Sequence, residues 1–383
     1  SGRDVTTVRL HEPIRYASGD PVESWAFHAL LLDARPPVEP LVEDAAPKTV
    51  SEREPSGAEL ADDDHLLREV FGLLVAAHYR TEPNDLARLL DAPNLSVRAL
   101  CRDGHVVSVA LVAQEGGLSE SWRTEMYEGG RVPGNMIPDV LTSQLRDESA
   151  ADANGVRVVR IATHHAARSR GLGSALLDAV EAGATGDWVG SGFGATPELL
   201  DFWDANGYGA VQLSTTRNET SGEYSAVVLK PTSDRGERLH DDHAAWFADR
   251  APAVLADALT DADPDVVRAA LRAVAVSPDP ALDDRGWRLV AGAAYGPALF
   301  DVDPRPFRRL AAAHLIDGDQ SLLSAREERL LVTRVLQSRS WGAVADALGY
   351  HSTSECMRAL GDAYKPLVDA SGDDAAKTER DRY

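Results

Sequence analysis

The hydrophobic pattern changes character three times along the chain. Residues 4–16 (DVTTVRLHEPIRY) alternate as a strand does, and residues 20–33 (DPVESWAFHALLLD) place Trp25, Ala26, Ala29, Leu30 and Leu32 on one helical face. One strand and one helix cannot bury a core of their own, so residues 1–33 read as the end of a larger unit. Residues 34–64 are rich in Pro, Ala and acids, and predict a linker.

From residue 65 to 232 helical and strand periods interleave. LLREVFGLLVAAHY (66–79) and DLARLLDAP (85–93) have helical spacing. SVRALCRDGHVVSVALVAQE (96–115) predicts two strands joined at Asp103-Gly104. RVVRIAT (157–163) predicts a strand, GLGSALLDAVEAGA (171–184) a helix entered through glycine, and DWVGSGFG (187–194) a strand. TPELLDFWDANG (196–207) has the marks of a capped helix: Thr196 at the N-cap, Pro197 at the first position and a glycine stop. AVQLSTTR (210–217) and YSAVVLK (224–230) complete the set as strands. Antiparallel hairpins in this order disfavour a purely parallel nucleotide-binding sheet. The fold class expected is α/β, a mixed sheet with flanking helices, followed by an all-α region over 236–370. A tail at 371–383 is expected to be disordered, and no internal repeat is visible.

Composition narrows the setting. The 383 residues suffice for two or three domains, and 44% hydrophobic content is that of a globular protein. No stretch is long and apolar enough to span a membrane, and the N-terminus lacks the apolar core of a secretory signal. Two cysteines, Cys101 and Cys356, make neither a disulfide framework nor a cysteine zinc site, so no metal is assigned and a reducing cytoplasm is expected. Acids outnumber bases 61 to 39, for a net charge of −22, and only four of the bases are lysines. That balance resembles adaptation to a salt-rich cytoplasm. At molar salt the screening length is about 3 Å, so net charge neither favours nor excludes RNA, and local patches decide.

The stretch RSRGLGS (168–174) joins a strand to the first turn of a helix. Helix N-termini carry unpaired N–H groups and positive potential; Gly171 and Gly173 let an anion approach, and Arg168 and Arg170 add charge at contact distance. A phosphate is the natural ligand. A P-loop is excluded because no lysine stands in GxxxxGK[ST], and the dinucleotide fingerprint fails because Leu176 occupies the third glycine position. The remaining pattern, Arg-x-x-Gly-x-Gly between strand and helix, resembles the loop that holds the coenzyme A pyrophosphate in the GNAT superfamily.

Five blocks sharpen this resemblance: AHYRTEPNDLARLLDAP (77–93), QEGGLS (114–119), VVRIATHHAARSRGLGSALL (158–177), SGFGATPELLDFWDANGY (191–208) and RNETSGEYSAVVLKP (217–231). Together they look like the tRNA(Met) cytidine acetyltransferase family, RNA cytidine N4-acetyltransferases of the GNAT superfamily. By that resemblance residues 1–33 are the remnant of a helicase-like domain, 65–232 the acetyltransferase domain and 236–370 a helical RNA-binding domain. The family's P-loop is missing from these 383 residues, so ATP is not expected to bind this chain, which reads as a C-terminal portion or natural short form. The implied acetyl-CoA contacts are Ile161, Ala162 and Thr163 along the acetyl and pantetheine arm. They continue through Arg168, Ser169, Arg170, Gly171, Leu172, Gly173 and Ser174 at the pyrophosphate, and include Glu198. A basic contact of bacterial members falls on Ala205 and is absent.

Acetylating cytosine N4 needs a proton acceptor, because that amine's lone pair is delocalised into the ring. The candidates are His78, Tyr79 and Glu115, with His78 leading because imidazole titrates nearest neutrality. Each has a structural alternative: a helix-end cap for His78, core packing for Tyr79, a solvated loop acid for Glu115. His164 and His165 follow the cofactor strand and could face the acetyl group, though they suit a turn better. Near the C-terminus, SWGAVADALGYHSTSECMRALG (340–361) resembles a helix-turn-helix with Gly349 in the turn. The preceding segment offers Arg326, Arg329, Arg334 and Arg339 for RNA phosphates, and PRPFRRLAAAH (304–314) offers Arg305, Arg308 and Arg309. Arginines that merely balance acids in a helical bundle are the other reading. The partners expected are tRNA or another RNA and acetyl-CoA, with no membrane; a GNAT enzyme for a protein or small amine, or a non-catalytic RNA-binding fragment, are the alternatives.

Overall fold

A computed structural model describes residues 6, 8, 17, 19–77 and 83–383. The strand expected within 4–16 lies outside the described residues. So do His78 and Tyr79.

Seven strands form one sheet: β1 (Ser51–Arg53), β2 (Leu95–Arg102), β3 (His105–Gly116), β4 (Asn154–Thr163), β5 (Trp188–Gly194), β6 (Gly209–Arg217) and β7 (Tyr224–Pro231), in the order β1-β2-β3-β4-β5-β7-β6. β2 and β3 pair antiparallel through a turn in which Asp103 and Gly104 both have positive φ (50° and 88°). Such a two-residue turn matches the strand twist, which is why Asp-Gly marks it in the sequence. β7 pairs antiparallel with both β5 and β6. The mixed α/β sheet expected from the sequence is present.

The chain divides into two compact units, residues 1–114 with 158–184, and residues 115–157 with 185–383. In the first, the helix Asp64–Ala77 buries Leu66, Val70, Phe71, Leu73 and Leu74 against Val97, Ala99, Val109 and Leu111 of the β2–β3 hairpin. The helix Pro21–Ala29 is capped by Asp20, whose carboxylate accepts the Val22 N–H at 2.8 Å, yet it buries none of its side chains. Residues 34–64, expected as a linker, hold β1 and the helix Gly57–Asp62, opened by a reciprocal Ser56–Glu59 cap. Val42 and Ala45 there are fully buried. Isolated apolar positions among prolines and acids carry no period, so composition alone concealed the order.

The second unit contains elements the pattern did not assign: the helix Glu120–Tyr127, and a turn at Met136–Asp139 that widens into a π-helical segment, Val140–Gln144. Helices then dominate from Asp234–Leu255 to Thr353–Ser371. Phe307 packs edge-on against Phe300 and Tyr364, and the Tyr364 hydroxyl donates to the Phe307 carbonyl at 2.8 Å. The helix-turn-helix pattern is realised as Trp341–Leu348 and Thr353–Ser371, with Gly349 left-handed at φ 69°. Residues 371–383, expected to be disordered, include a helix, Asp374–Arg380, capped by Asp373 and anchored by the fully buried Ala376. Its charged residues mask that single apolar anchor.

Candidate functional site

The loop after β4 carries the segment 168–174 that the sequence offers to an anion. His164 ends the strand and caps a short 3-10 turn, His165–Ala167; its Nδ1 accepts the Ala166 N–H at 3.2 Å and its Nε2 lies 2.9 Å from the Pro37 carbonyl. With one ring nitrogen accepting and the other donating, the imidazole is neutral. Burial holds its pKa below the usual histidine value, against the opposing hydrogen bond to Pro37. His165 Nε2 meets the Glu39 carboxylate at 2.5 Å, and an Arg170 N–H donates to the Glu43 carbonyl. Residues 37–47, invisible as a site element in the sequence, therefore brace the loop from outside.

Beyond that brace the backbone turns sharply. Ser169 has φ 58° and Gly171 φ 79°, and Gly171 is the N-cap of the helix Leu172–Gly183 with no side-chain cap. The Ala175 N–H makes the first helical bond, to Gly171 O at 2.9 Å. Among the described residues the amides of Leu172, Gly173 and Ser174 have no acceptor. Three unpaired N–H groups at the positive end of a helix, beside the exposed Arg168 and Arg170, fit a pyrophosphate. Upstream, the Ser108 hydroxyl donates to the Ala162 carbonyl at 2.9 Å and lies 2.8 Å from Thr163 Oγ1, and Arg168 Nε donates to the Thr163 carbonyl at 3.3 Å. Ala162 is buried, whereas Ile161 and Thr163 remain partly accessible along the path assigned to the acetyl arm.

The second unit holds Glu115 and Glu198. Glu115 is not a solvated loop acid: its side chain is fully buried, with Oε1 2.6 Å from Arg157 Nε and Oε2 accepting the Ile137 N–H at 3.0 Å. Both oxygens are occupied. Arg157, the partner, was not singled out in the sequence; the pairing joins positions 42 residues apart and no local pattern announces it. Glu198 sits exposed in the first turn of the helix Pro197–Ala205, whose Thr196 cap accepts the Leu199 N–H at 3.3 Å.

The arginines assigned to RNA divide into two sets. Arg305, Arg308 and Arg309 line a cavity of about 530 Å³ together with Pro252, Pro278 and Ile316. Arg305 is highly exposed and pairs with Asp303 at 2.7 Å, which holds that carboxyl down at about 2. Arg308 donates to the Val335 carbonyl and Arg309 to the Ala281 carbonyl. Arg334 and Arg339 face inward. Arg334 bonds the Arg339 carbonyl and Asp301, while Arg339 bonds the carbonyls of Thr260 and Ala262. Arg326 and Arg329 likewise bond the Leu348 carbonyl and Asp265.

Residues 69–186 and 181–233 match the family model described as GNAT acetyltransferase 2. Residues 1–33 match the model for the helicase domain of the RNA cytidine acetyltransferase NAT10/TcmA. A curated relative from Haloferax volcanii, the tRNA(Met) cytidine acetyltransferase TmcA, is 61% identical over 383 residues, all of this chain and 51% of its own length. The namesake from Haloarcula marismortui is 58% identical over 382 residues, 99% of this chain and 49% of its own. That from Nitrosococcus halophilus is 39% identical over 384 aligned positions, 98% of this chain and 51% of its own. The mixed sheet, the glycine-entered helix with its open amides and the domain match define a GNAT-type acetyltransferase domain. More narrowly, the chain belongs to the tRNA(Met) cytidine acetyltransferase family. It spans about half the length of the curated relatives it matches.

Proposed function

We propose that this chain carries the acetyl-transferring and RNA-binding part of an RNA cytidine N4-acetyltransferase. Its substrate on this reading is a cytidine in tRNA, the anticodon wobble position of elongator tRNA(Met), and the product is N4-acetylcytidine. The observation that carries the reading is the row of unpaired amides at Leu172, Gly173 and Ser174, flanked by Arg168 and Arg170 within the matched domain. Bound acetyl-CoA would supply the acetyl thioester. Leu172 to Ser174 would hold its pyrophosphate, with Ile161, Ala162 and Thr163 along the arm and Glu198 as a further contact. The amine must be held near attack distance and lose a proton as the C–N bond forms. His78 and Tyr79 are the proton acceptors proposed. Glu115, with both oxygens engaged, suits a positioning role better than proton acceptance. An anticodon base suits the task because a loop nucleotide is unstacked at least cost.

The test incubates the chain with a tRNA(Met) transcript and acetyl-CoA, with and without ATP, and analyses the nucleosides by mass. N4-acetylcytidine formed without ATP is the expected result. Acetyl-CoA binding with no modified cytidine would transfer the chain to the protein- or amine-acetylating enzymes; no acetyl-CoA binding would leave a non-catalytic RNA-binding fragment.

For RNA, Arg305 and Arg309 are the stronger candidates, because both are exposed at the cavity whereas Arg334 and Arg339 are half-buried. Replacing Arg305 and Arg309 together with Ala is expected to weaken tRNA binding several-fold, and to reduce the dependence of log K on log salt by about two. Filter-binding titrations across a salt series read both. An unchanged slope would remove the two residues from the interface.

A further inference from the structure

The helix Asp64–Ala77 and the β2–β3 hairpin meet at a group of three side chains that the acetyl-transfer reading does not use. Glu69, buried on the helix, lies with Oε1 3.3 Å from His65 Nε2, one turn earlier, and 2.8 Å from His105 Nδ1 at the start of β3. The three potential ligand atoms all fall within 4.8 Å of one another. The rings of His65 and His105 stand edge to face with centroids 5.3 Å apart.

We propose that His65, Glu69 and His105 form a binding site for a divalent transition-metal ion, with Zn²⁺ the best match. In tetrahedral zinc sites, bond lengths of about 2.0–2.2 Å separate neighbouring donor atoms by about 3.3 Å. The Glu69–His65 distance already has that value, and the Glu69–His105 contact opens by about half an ångström to reach it. Two imidazoles and one carboxylate leave a fourth position open on the side of His65, whose side chain is 59% exposed. The ion would reach the site from solvent there.

Two features distinguish this group from a chance cluster. The second oxygen of Glu69 accepts the Val106 N–H at 2.8 Å, which fixes the carboxylate plane and leaves Oε1 aimed at both imidazoles. Backbone anchoring of a ligand's distal atom is what orients donors in metal sites. Secondly, the carboxylate is buried with no arginine or lysine paired to it among the described residues; its ion-pair partners are the two histidines. A buried carboxylate needs a compensating positive charge, and a dication between the imidazoles supplies it without protonating either ring. The three donor atoms that converge are two imidazole nitrogens and one carboxylate oxygen, a set that suits Zn²⁺ over the softer Cu(I). Sequence reading missed the site because its ligands come from positions 65, 69 and 105, outside any short motif. The ion would clamp the hairpin to the helix whose next residues are His78 and Tyr79.

The test uses tag-free chain, stripped with chelator and returned to metal-free buffer. Zinc titrated by calorimetry should bind at one equivalent and raise Tm, and Co²⁺ should give the intense visible absorption of a tetrahedral site. His65→Ala, at an exposed position, should keep the metal-free Tm and weaken zinc by at least about tenfold. His105→Ala should do the same to zinc. Glu69→Gln keeps an acceptor for Val106 and should abolish the Co²⁺ spectrum; should that variant fail to fold, His65→Ala decides alone. No saturable zinc binding by the unmodified chain, or equal affinity in His65→Ala and His105→Ala, overturns the proposal. The acetylation assay is independent of this outcome.

Discussion

Replacing Glu115 with Ala is expected to lower the melting temperature more than any other single change considered for this chain. The substitution leaves the Arg157 guanidinium, only 14% exposed, without its 2.6 Å partner, and strands the Ile137 N–H that Oε2 accepts. Breaking a buried pair by removing one member costs about 3–5 kcal/mol, because the surviving charge stays out of water. In a unit of this size that corresponds to a fall of roughly 10 °C in Tm. High salt would rescue little, since a guanidinium closed off from solvent is weakly screened. Glu115→Gln should fall between: it keeps an acceptor for Ile137 but loses the charge. The pair of variants separates positioning from proton acceptance. Should Glu115→Gln keep the parental Tm while turnover collapses and acetyl-CoA affinity holds, Glu115 is the base and the positioning role is wrong. A matched fall in Tm and activity, recovered at lower assay temperature, supports it.

How much of this was legible beforehand depends on the range of the interaction. The β2–β3 hairpin was readable from Asp103-Gly104 alone, since the turn residues and the flanking alternation lie within one short window. The capped helix at Pro197–Ala205 was readable for the same reason. Order in residues 34–64 was not, because Val42, Ala45 and Leu60 are buried singly and leave no period. The stretch 120–152 failed differently: its helices are one or two turns long, and the π-helical segment Val140–Gln144 breaks the 3.6-residue spacing that pattern reading relies on.

The candidate site shows the same division. The anion loop at Arg168–Ser174 is a contiguous motif, and its glycine and arginines were assigned from the residues themselves. What braces it was hidden, because Pro37, Glu39 and Glu43 reach His164, His165 and Arg170 across more than 120 positions. Arginine counts were similarly mute about direction. Arg334 and Arg305 look alike in a sequence, yet Arg334 turns toward the Arg339 carbonyl while Arg305 stands 82% exposed beside the cavity. Charge was legible; where each guanidinium points depends on carbonyls supplied by distant turns.

Gly171→Val is the change expected to affect acetyl-CoA most. An added Cβ at this position would meet only Pro47 Cγ, at 3.6 Å, an ordinary contact, so space is not the constraint. The backbone is: φ is 79°, a region that costs a residue with a side chain about 1–2 kcal/mol and a β-branched one more. The loop can relieve that strain by rotating, and rotation swings the Leu172, Gly173 and Ser174 amides away from one focus. A loss of 1–2 kcal/mol in binding is about a 5- to 30-fold rise in Kd for acetyl-CoA, read by calorimetry. Gly222→Val is the control: its φ is 73° and nothing lies within 4 Å of an added Cβ, so it bears a similar backbone cost at the turn before β7. That variant should lose a little Tm and no affinity. If Gly171→Val instead binds acetyl-CoA as the parent does, the pyrophosphate is not held by these three amides, whatever the Arg168 and Arg170 side chains contribute.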